Sequence, residues 1–282
     1  MSGFKAIGNG FREASNSYEG KIVKSIAAVV MCASLYMQAT TFSTYAWRIS
    51  ASLSNPSIIL KGRTQDGNII KVDDYREAYL WLRDNTPDDA RIMAWWDYGY
   101  QITGISNRTT VADGNTWNHE HIALLGKCLT SDEETSYAIT RHLADYILIW
   151  TSRYAGMFSD DLAKSPHMAR IGSSVYGDRI GCSATEFYMD REGKPSDCMK
   201  SSILYRMHSW KFDPNEADFK HFEEAYTTTN RMVRIYKVLD VSLESKQWRA
   251  AMGVECASQE CYPPGLSSTL NLKQSFEQIH GI

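Results

Sequence analysis

The chain has 282 residues, of which 43% are hydrophobic and 22% are charged, and its formal net charge is −3. This composition is typical of a folded protein with one large domain or two small ones, and it excludes a disordered chain. The slightly acidic balance provides no bulk attraction to nucleic acid, so we expect no nucleic-acid partner. Eight tryptophans suit an aromatic core, a membrane interface, or a carbohydrate or peptide site.

An uncharged segment near the N-terminus predicts a transmembrane helix. Residues 25–47 contain no charged side chain, and a helix needs about 20 residues to cross a bilayer core. Four basic residues lie in 1–24 and one, Arg48, follows the segment closely. The positive-inside rule therefore makes 1–24 a cytosolic lead and places the bulk of the chain on the far side. A signal peptide and the buried helix of a soluble protein are the alternatives.

From residue 55 onward, strand and helix patterns alternate. An Asp-Gly-Asn turn after Gln65 predicts a hairpin, and helical spacing predicts a helix from Asp73 or Asp74 to Asn85. The following elements are predicted in order: strand 91–94, helices from 116 and from 133, strand 146–150, a short helix near 161–171 among loops, helical pieces at 201–207 and 219–226, and strand 232–239. This alternation favours a small mixed α/β domain over 55–240 with loop-rich insertions. We expect 241–282 to be a peripheral C-terminal extension.

Four of the six cysteines form two close pairs in loop-like sequence, Cys182 with Cys198 and Cys256 with Cys261. This spacing favours two local disulfides and an oxidising compartment. Free thiols and a zinc site are the alternatives, but neither pair has the CxxC spacing that is typical of zinc ligands. The far side of the membrane, where the topology puts this domain, is also the side on which disulfides form.

An aromatic and acidic cluster follows the strand predicted at 91–94. Trp95 and Trp96 carry indole N–H donors, and Asp97 carries a carboxylate acceptor. A hydroxyl group both donates and accepts a hydrogen bond, so a pocket with both partners can select a ligand that bears one. The alternative is that the tryptophans belong to the core and that Asp97 caps a local turn. No arrangement typical of nucleophilic catalysis is recognisable.

Two further motifs could bind a metal or carry a modification. His119, Glu120 and His121 could suggest a metal site, but residues two apart on a helix do not share a face, which favours a solvated helix face. Asn107-Arg108-Thr109 is a glycosylation acceptor triplet, and Asn107 is therefore a candidate modification site.

The segment Trp95-Trp96-Asp97-Tyr98-Gly99 resembles the signature of the catalytic subunit of eukaryotic oligosaccharyltransferase, the dolichyl-diphosphooligosaccharide–protein glycosyltransferase of protein N-glycosylation. The resemblance covers roughly 55–240. It includes these segments: 73–79, 108–110, 115–118, 121–123, 161–168 and 232–239. Residues 165–172 are most similar to protozoan forms that act as single subunits.

The resemblance implies an endoplasmic-reticulum membrane enzyme whose main domain lies in the lumen. The family transfers oligosaccharide from dolichyl diphosphate to the Asn of Asn-x-Ser/Thr acceptors. Residues 25–47 resemble the last of the family's many transmembrane helices. The implied acceptor-binding residues are Trp95, Trp96, Asp97, Lys164 and Met168, with Met168 against the threonine methyl. The implied supporting residues are Tyr98, Gly99 and Asp161.

The resemblance also implies a divalent cofactor, Mg²⁺ or Mn²⁺. In the family this ion is held by acidic loops of an N-terminal membrane region that this chain lacks. We therefore expect neither catalytic residues nor metal ligands here, and no transfer by the isolated chain. The competing interpretations are a membrane-anchored peptide- or glycan-binding module and an inactive fragment.

Overall fold

The computed structural model describes residues 16–53, 58–63, 66–116, 119–151, 160–211, 217–252, 263 and 265–269. The chain divides into two compact units, 1–57 and 58–282.

The first unit contains one long helix, α1, which runs from Tyr18 to Leu53. It extends beyond the predicted span 25–47 at both ends, and it is long and apolar enough to cross a membrane. Polar side chains in its second half bond within the helix: the Thr40 and Thr41 hydroxyls donate to the Met37 carbonyl at 2.9 Å. Side chains satisfied in this way are less costly to place in an apolar medium.

The second unit begins with the predicted hairpin. Strands β1 (Leu60–Arg63) and β2 (Ile69–Val72) pair antiparallel, with Leu60 opposite Val72. Gly67 adopts a positive φ of 83° between the strands, a conformation that glycine reaches without steric cost.

A separate five-stranded sheet organises the rest of the unit. Its strands are β3 (Arg91–Met93), β4 (Thr109–Thr110), β5 (Tyr146–Trp150), β6 (Phe222–Thr227) and β7 (Val233–Val238). The spatial order is β4-β3-β5-β7-β6. The first three strands are mutually parallel, whereas β7 is antiparallel to both β5 and β6. The predicted mixed α/β class is confirmed.

The helices of this unit are α2 (Asp74–Asn85), α3 (Gly99–Gln101), α4 (His119–Thr130), α5 (Glu133–Leu143), α6 (Asp160–Tyr176), α7 (Asp197–Lys200), α8 (Ile203–Ser209), α9 (Leu243–Met252) and α10 (Leu266–Thr269). Ile147, Leu148 and Ile149 of β5 are all fully buried. Successive strand residues face opposite sides of a sheet, so β5 is covered on both faces, as its continuous apolar run predicts.

The prediction of a helical piece at 219–226 is wrong, because Phe222–Thr227 form the edge strand β6. Its side chains are mostly half-buried, which leaves its pattern ambiguous between helix and strand. Pairing with β7 decides the outcome. A bulge between Glu224 and Tyr226 interrupts the regular register.

The helix predicted near 161–171 is longer, because α6 continues to Tyr176 and contains Pro166 in its interior. Proline has no N–H, so the Leu162 carbonyl loses its normal helical partner. The Ser165 hydroxyl donates to this carbonyl at 2.7 Å. This local bond compensates for the lost backbone bond.

The segment after residue 240 is not wholly peripheral. Ser245 in α9 and Leu266 in α10 have no exposed surface, and Leu266 belongs to the main hydrophobic core. Its short apolar stretches gave too weak a periodic signal for this burial to be predicted.

Candidate functional site

The predicted recognition motif lies at the carboxyl edge of the parallel strands. A single 3₁₀ turn, Trp96–Tyr98, follows β3 closely, and α6 begins ten residues after the end of β5. Because β3 and β5 are parallel neighbours, their carboxyl ends meet at one edge. Open α/β sheets commonly bind ligands at such an edge.

Gly99 allows the turn to lie against the backbone that follows β4. A β-carbon at this position would come within 2.4 Å of the Ala112 carbonyl oxygen and 2.6 Å of the Asp113 α-carbon. Both distances are shorter than a β-carbon can approach another atom without a steric clash. Any larger residue would therefore push the 3₁₀ turn away from the end of β4, which gives a geometric reason for glycine in the motif.

A close crossing of α4 and α6 places the second group of site residues. A β-carbon on Gly126 would lie 2.4 Å from the Met168 carbonyl oxygen, and one on Gly172 would lie 2.7 Å from the Lys127 nitrogen. The two helix backbones are therefore in direct contact. This contact sets the position of α6, and with it the positions of Lys164 and Met168.

Asp97 and Lys164 meet across the site. The Lys164 ammonium forms an ion pair and hydrogen bond with the Asp97 carboxylate, although the two residues are 67 positions apart in sequence. Their side chains remain 29% exposed for Asp97 and 31% exposed for Lys164. A strong acceptor and a strong donor thus lie side by side at an accessible position, as recognition of a hydroxyl group requires.

A buried carboxylate supports this pair. Asp161 is 1% exposed, and its two oxygens accept hydrogen bonds from the Tyr98 hydroxyl at 3.0 Å and from the Trp150 backbone N–H at 2.6 Å. Burial, and then the negative charge of Asp161, raise the pKa of the neighbouring Tyr79 phenol. Sequence reasoning placed Tyr98 and Asp161 in two supporting motifs but missed the bond between them, for which the sequence carries no signal.

The remaining motif residues differ in accessibility. Trp95 is 2% exposed and Met168 is fully buried, so both belong to the core. Trp96 is only partly buried, and its ring centroid lies 6.5 Å from that of Trp95. The core interpretation therefore describes Trp95, whereas Trp96 and the Asp97–Lys164 pair are open to a ligand. Contact of Met168 with a threonine methyl stays a prediction.

The six cysteines fall into three groups: a bonded pair, a pair outside the described residues, and two free cysteines, the exposed Cys32 and the buried Cys128. Cys182 and Cys198 form a disulfide, which ties the loop after α6 to α7. Cys256 and Cys261 lie outside the described residues. Cys128 is free and fully buried, and burial raises the pKa of its thiol to about 12, which makes it an unreactive core residue.

The glycosylation triplet lies at the turn that leads into β4. Asn107 is exposed and has a left-handed backbone with φ of 53°. Arg108 is buried and donates to the Thr86 hydroxyl at 2.9 Å, while Thr109 belongs to β4. Modification of Asn107 stays a prediction.

The histidine motif lies at the beginning of α4, where burial lowers the pKa of His121. Among the described residues, no three His, Cys, Asp or Glu side chains come together as metal ligands would. The described donor set therefore does not fit a divalent ion.

A family model for the "STT3/PglB/AglB core domain" matches residues 88–243. This chain belongs to that family. The matched region contains both halves of the site, from the 3₁₀ turn to α6, together with the whole five-stranded sheet.

Curated members of the STT3 family are similar over most of this chain. The dolichyl-diphosphooligosaccharide–protein glycosyltransferase subunit stt-3 of Caenorhabditis elegans is 37% identical over 76% of this chain and 31% of its own length. The corresponding subunit of Schizosaccharomyces pombe is 41% identical over 68% of this chain and 29% of its own length. The Saccharomyces cerevisiae subunit is 34% identical, and the match covers 81% of this chain and 35% of the length of that subunit. The chain thus spans about a third of the length of these relatives.

Two solved structures are also similar to part of this chain. The C-terminal globular domain of an Archaeoglobus fulgidus oligosaccharyltransferase is 19% identical, with a TM-score of 0.41, and the match covers 59% of this chain and 97% of that domain. The C. jejuni pglb C-terminal domain is 11% identical, with a TM-score of 0.42, and the match covers 58% of this chain and 99% of that domain.

Proposed function

We propose that this chain is the C-terminal, acceptor-recognising part of an oligosaccharyltransferase catalytic subunit. Its acceptors are polypeptides with Asn-x-Ser/Thr, and its donor is an oligosaccharide on dolichyl diphosphate. The curated relatives are dolichyl-diphosphooligosaccharide–protein glycosyltransferase subunits, which supports this proposal.

One observation carries the recognition role: the half-exposed pair of Asp97 and Lys164 beside Trp96. The Ser or Thr hydroxyl, two residues after the acceptor Asn, donates to Asp97 and accepts from Lys164 or the Trp96 indole. An acceptor without this hydroxyl loses its hydrogen bonds to these charged side chains, and each such bond contributes about 1.5 to 3 kcal/mol.

In the proposed reaction, the acceptor amide nitrogen attacks the anomeric carbon. The C–N bond forms with inversion as the C–O bond to the lipid diphosphate breaks, and the amide proton is lost. Mg²⁺ or Mn²⁺, when bound to the complete enzyme, would neutralise negative charge on the departing diphosphate. On the family resemblance, the ligands of this ion would lie in acidic loops of an N-terminal membrane region and not among the residues of this chain.

The proposed location is the endoplasmic-reticulum membrane, with α1 spanning the bilayer and the 58–282 unit in the lumen. The charge asymmetry around α1 and the Cys182–Cys198 disulfide both support this orientation. Action as a single subunit is proposed on the resemblance of residues 165–172 to protozoan forms.

Substitution of Asp97 tests the proposal in the complete enzyme that carries this domain. We expect Asp97→Ala to lower kcat/KM for an Asn-x-Thr peptide by roughly 10- to 100-fold, because a charge-assisted hydrogen bond is lost. Asp84→Ala is the control, since Asp84 is exposed and forms an ion pair with its neighbour Arg83.

The outcomes separate the proposal from its rivals. An unchanged kcat/KM in Asp97→Ala would refute the recognition role. Peptide binding without any transfer by the complete enzyme would favour an autonomous binding module.

A further inference from the structure

Tyr98 contacts both halves of the candidate site. Its hydroxyl donates to Asp161 at 3.0 Å, and the Lys164 ammonium lies 5.4 Å from the centroid of its ring. Tyr98 is 5% exposed, so its hydrogen bond to the buried Asp161 is shielded from water, whereas the Lys164 side chain remains 31% exposed. A cation over an aromatic face is attracted by the ring quadrupole, most strongly when it is desolvated.

Asp161 connects the elements that carry this arrangement. Its second oxygen accepts from the Trp150 N–H at 2.6 Å, so one buried carboxylate joins the end of β5, the 3₁₀ turn and the first turn of α6. Lys164 follows three residues later on α6. Residues three apart on a helix lie on the same face, so the Asp161 anchor also sets where Lys164 emerges.

The ion pair needs such support. Asp97 and Lys164 are both about 30% exposed, and partly exposed ion pairs are weak because water and salt compete for them. The lysine side chain has four rotatable bonds and can adopt many other positions. The Tyr98 ring and the Asp161 anchor together limit these alternatives.

We propose that Tyr98 is a positioning residue for acceptor selection: it holds Lys164 against Asp97 so that both can bind the acceptor hydroxyl. This inference rests on the proposed function. It assigns to Tyr98 a role in substrate affinity rather than in the chemical step.

A packing role is the competing explanation, because the Tyr98 ring also lies 5.9 Å from the Tyr75 ring. Tyr98→Phe separates the two, since it keeps the ring and removes only the hydroxyl. Asp161→Asn provides a second route to the same effect. The two carboxylate oxygens of Asp161 each accept one hydrogen bond, whereas the Asn amide has only one oxygen. Tyr137→Phe is the matched control: this buried tyrosine donates to the Asp240 carbonyl at 3.3 Å, away from the site.

The experiment measures steady-state transfer by the complete enzyme. An Asn-x-Thr peptide is the acceptor, and a peptide with 2-aminobutyrate in place of Thr, which lacks the hydroxyl, is the competitor. We expect Tyr98→Phe and Asp161→Asn each to raise KM for the Thr peptide about tenfold. We expect kcat to stay within about twofold and the competitor KI to remain unchanged.

A double variant tests whether Tyr98 acts through the lysine. If it does, Tyr98→Phe/Lys164→Gln has the same KM as Lys164→Gln alone, because residues in one network are not additive. Additive effects, or an equal rise of KM and competitor KI, would show general structural damage and overturn the inference. An unchanged KM in Tyr98→Phe would also overturn it.

The two proposals fail in different ways. If Asp97→Ala leaves KM unchanged, the proposed function itself fails. If Asp97→Ala raises KM while Tyr98→Phe matches the Tyr137→Phe control, only the positioning role is wrong.

Discussion

His142 illustrates how burial of one titratable side chain links the fold to pH. Its ring Nδ1 lies 2.7 Å from the Ser245 hydroxyl of α9. Burial, together with the positive charges of Arg141 and Arg91, lowers the pKa of His142, whereas Glu244 acts in the opposite direction. The folded state therefore favours the neutral imidazole.

The sign of the pH effect follows directly. The stability that comes from neutral His142 is fully present above the unfolded pKa of 6.5, and it is lost as pH falls through the lower, folded pKa. We expect the thermal midpoint of the detergent-solubilised chain to fall from pH 7.5 to pH 5, and His142→Gln to reduce that fall. The exposed His119 supplies the control, His119→Gln. The prediction would be contradicted if the thermal midpoint fell by the same amount in His142→Gln and in His119→Gln.

At the scale of elements, the crossing of α4 and α6 is decided by two glycines. The backbones touch where Gly126 meets Met168 and where Gly172 meets Lys127. Helix pairs reach such short separations only where side chains are absent. The same contact carries Lys164 toward Asp97, so the packing of the helices and the geometry of the site depend on each other.

We expect Gly126→Ala to lower the free energy of unfolding by about 2 kcal/mol, because its methyl group would collide with backbone rather than with a flexible side chain. Gly104→Ala is the control, since a β-carbon there meets nothing within 4 Å. Chemical denaturation of both variants, each compared with the parent chain, gives the measurement. A parent-like midpoint for Gly126→Ala would mean that the helices can separate at little cost.

At the scale of the whole molecule, recognition and chemistry are expected to be divided between parts of the enzyme. The chain spans about a third of its relatives, with 31% of the Caenorhabditis elegans subunit covered. The described residues contain no group of three His, Cys, Asp or Glu side chains that could hold a metal ion. A complete active site needs such a group if a divalent ion supports departure of the diphosphate.

We therefore predict that the 282-residue chain alone forms no glycopeptide from lipid-linked donor, acceptor peptide and Mn²⁺. The complete enzyme under the same conditions is the positive control. Chelation with EDTA is expected to abolish its activity, and Mn²⁺ is expected to restore it. Glycopeptide formed by the isolated chain would contradict the prediction.

Several features of this protein were predictable because their signals are local. The apolar run of β5 predicted a strand covered on both faces, and a glycine turn predicted the β1–β2 hairpin. The order of residues also predicted that Trp95 to Asp97 would follow a strand. Each inference needs only side-chain periodicity or turn chemistry within about ten residues.

Only the tertiary structure decided the features that depend on distant pairing. Strand β6 forms because β7 lies beside it, and Leu266 is buried because the core accepts it. The sequence by itself determined which residues carry the donor and acceptor groups of the site. Chain folding determined that Lys164 meets Asp97 and that Tyr98 bonds Asp161 across 63 positions. Contacts of this kind leave no periodic trace, because they depend on how whole elements pack rather than on neighbouring residues.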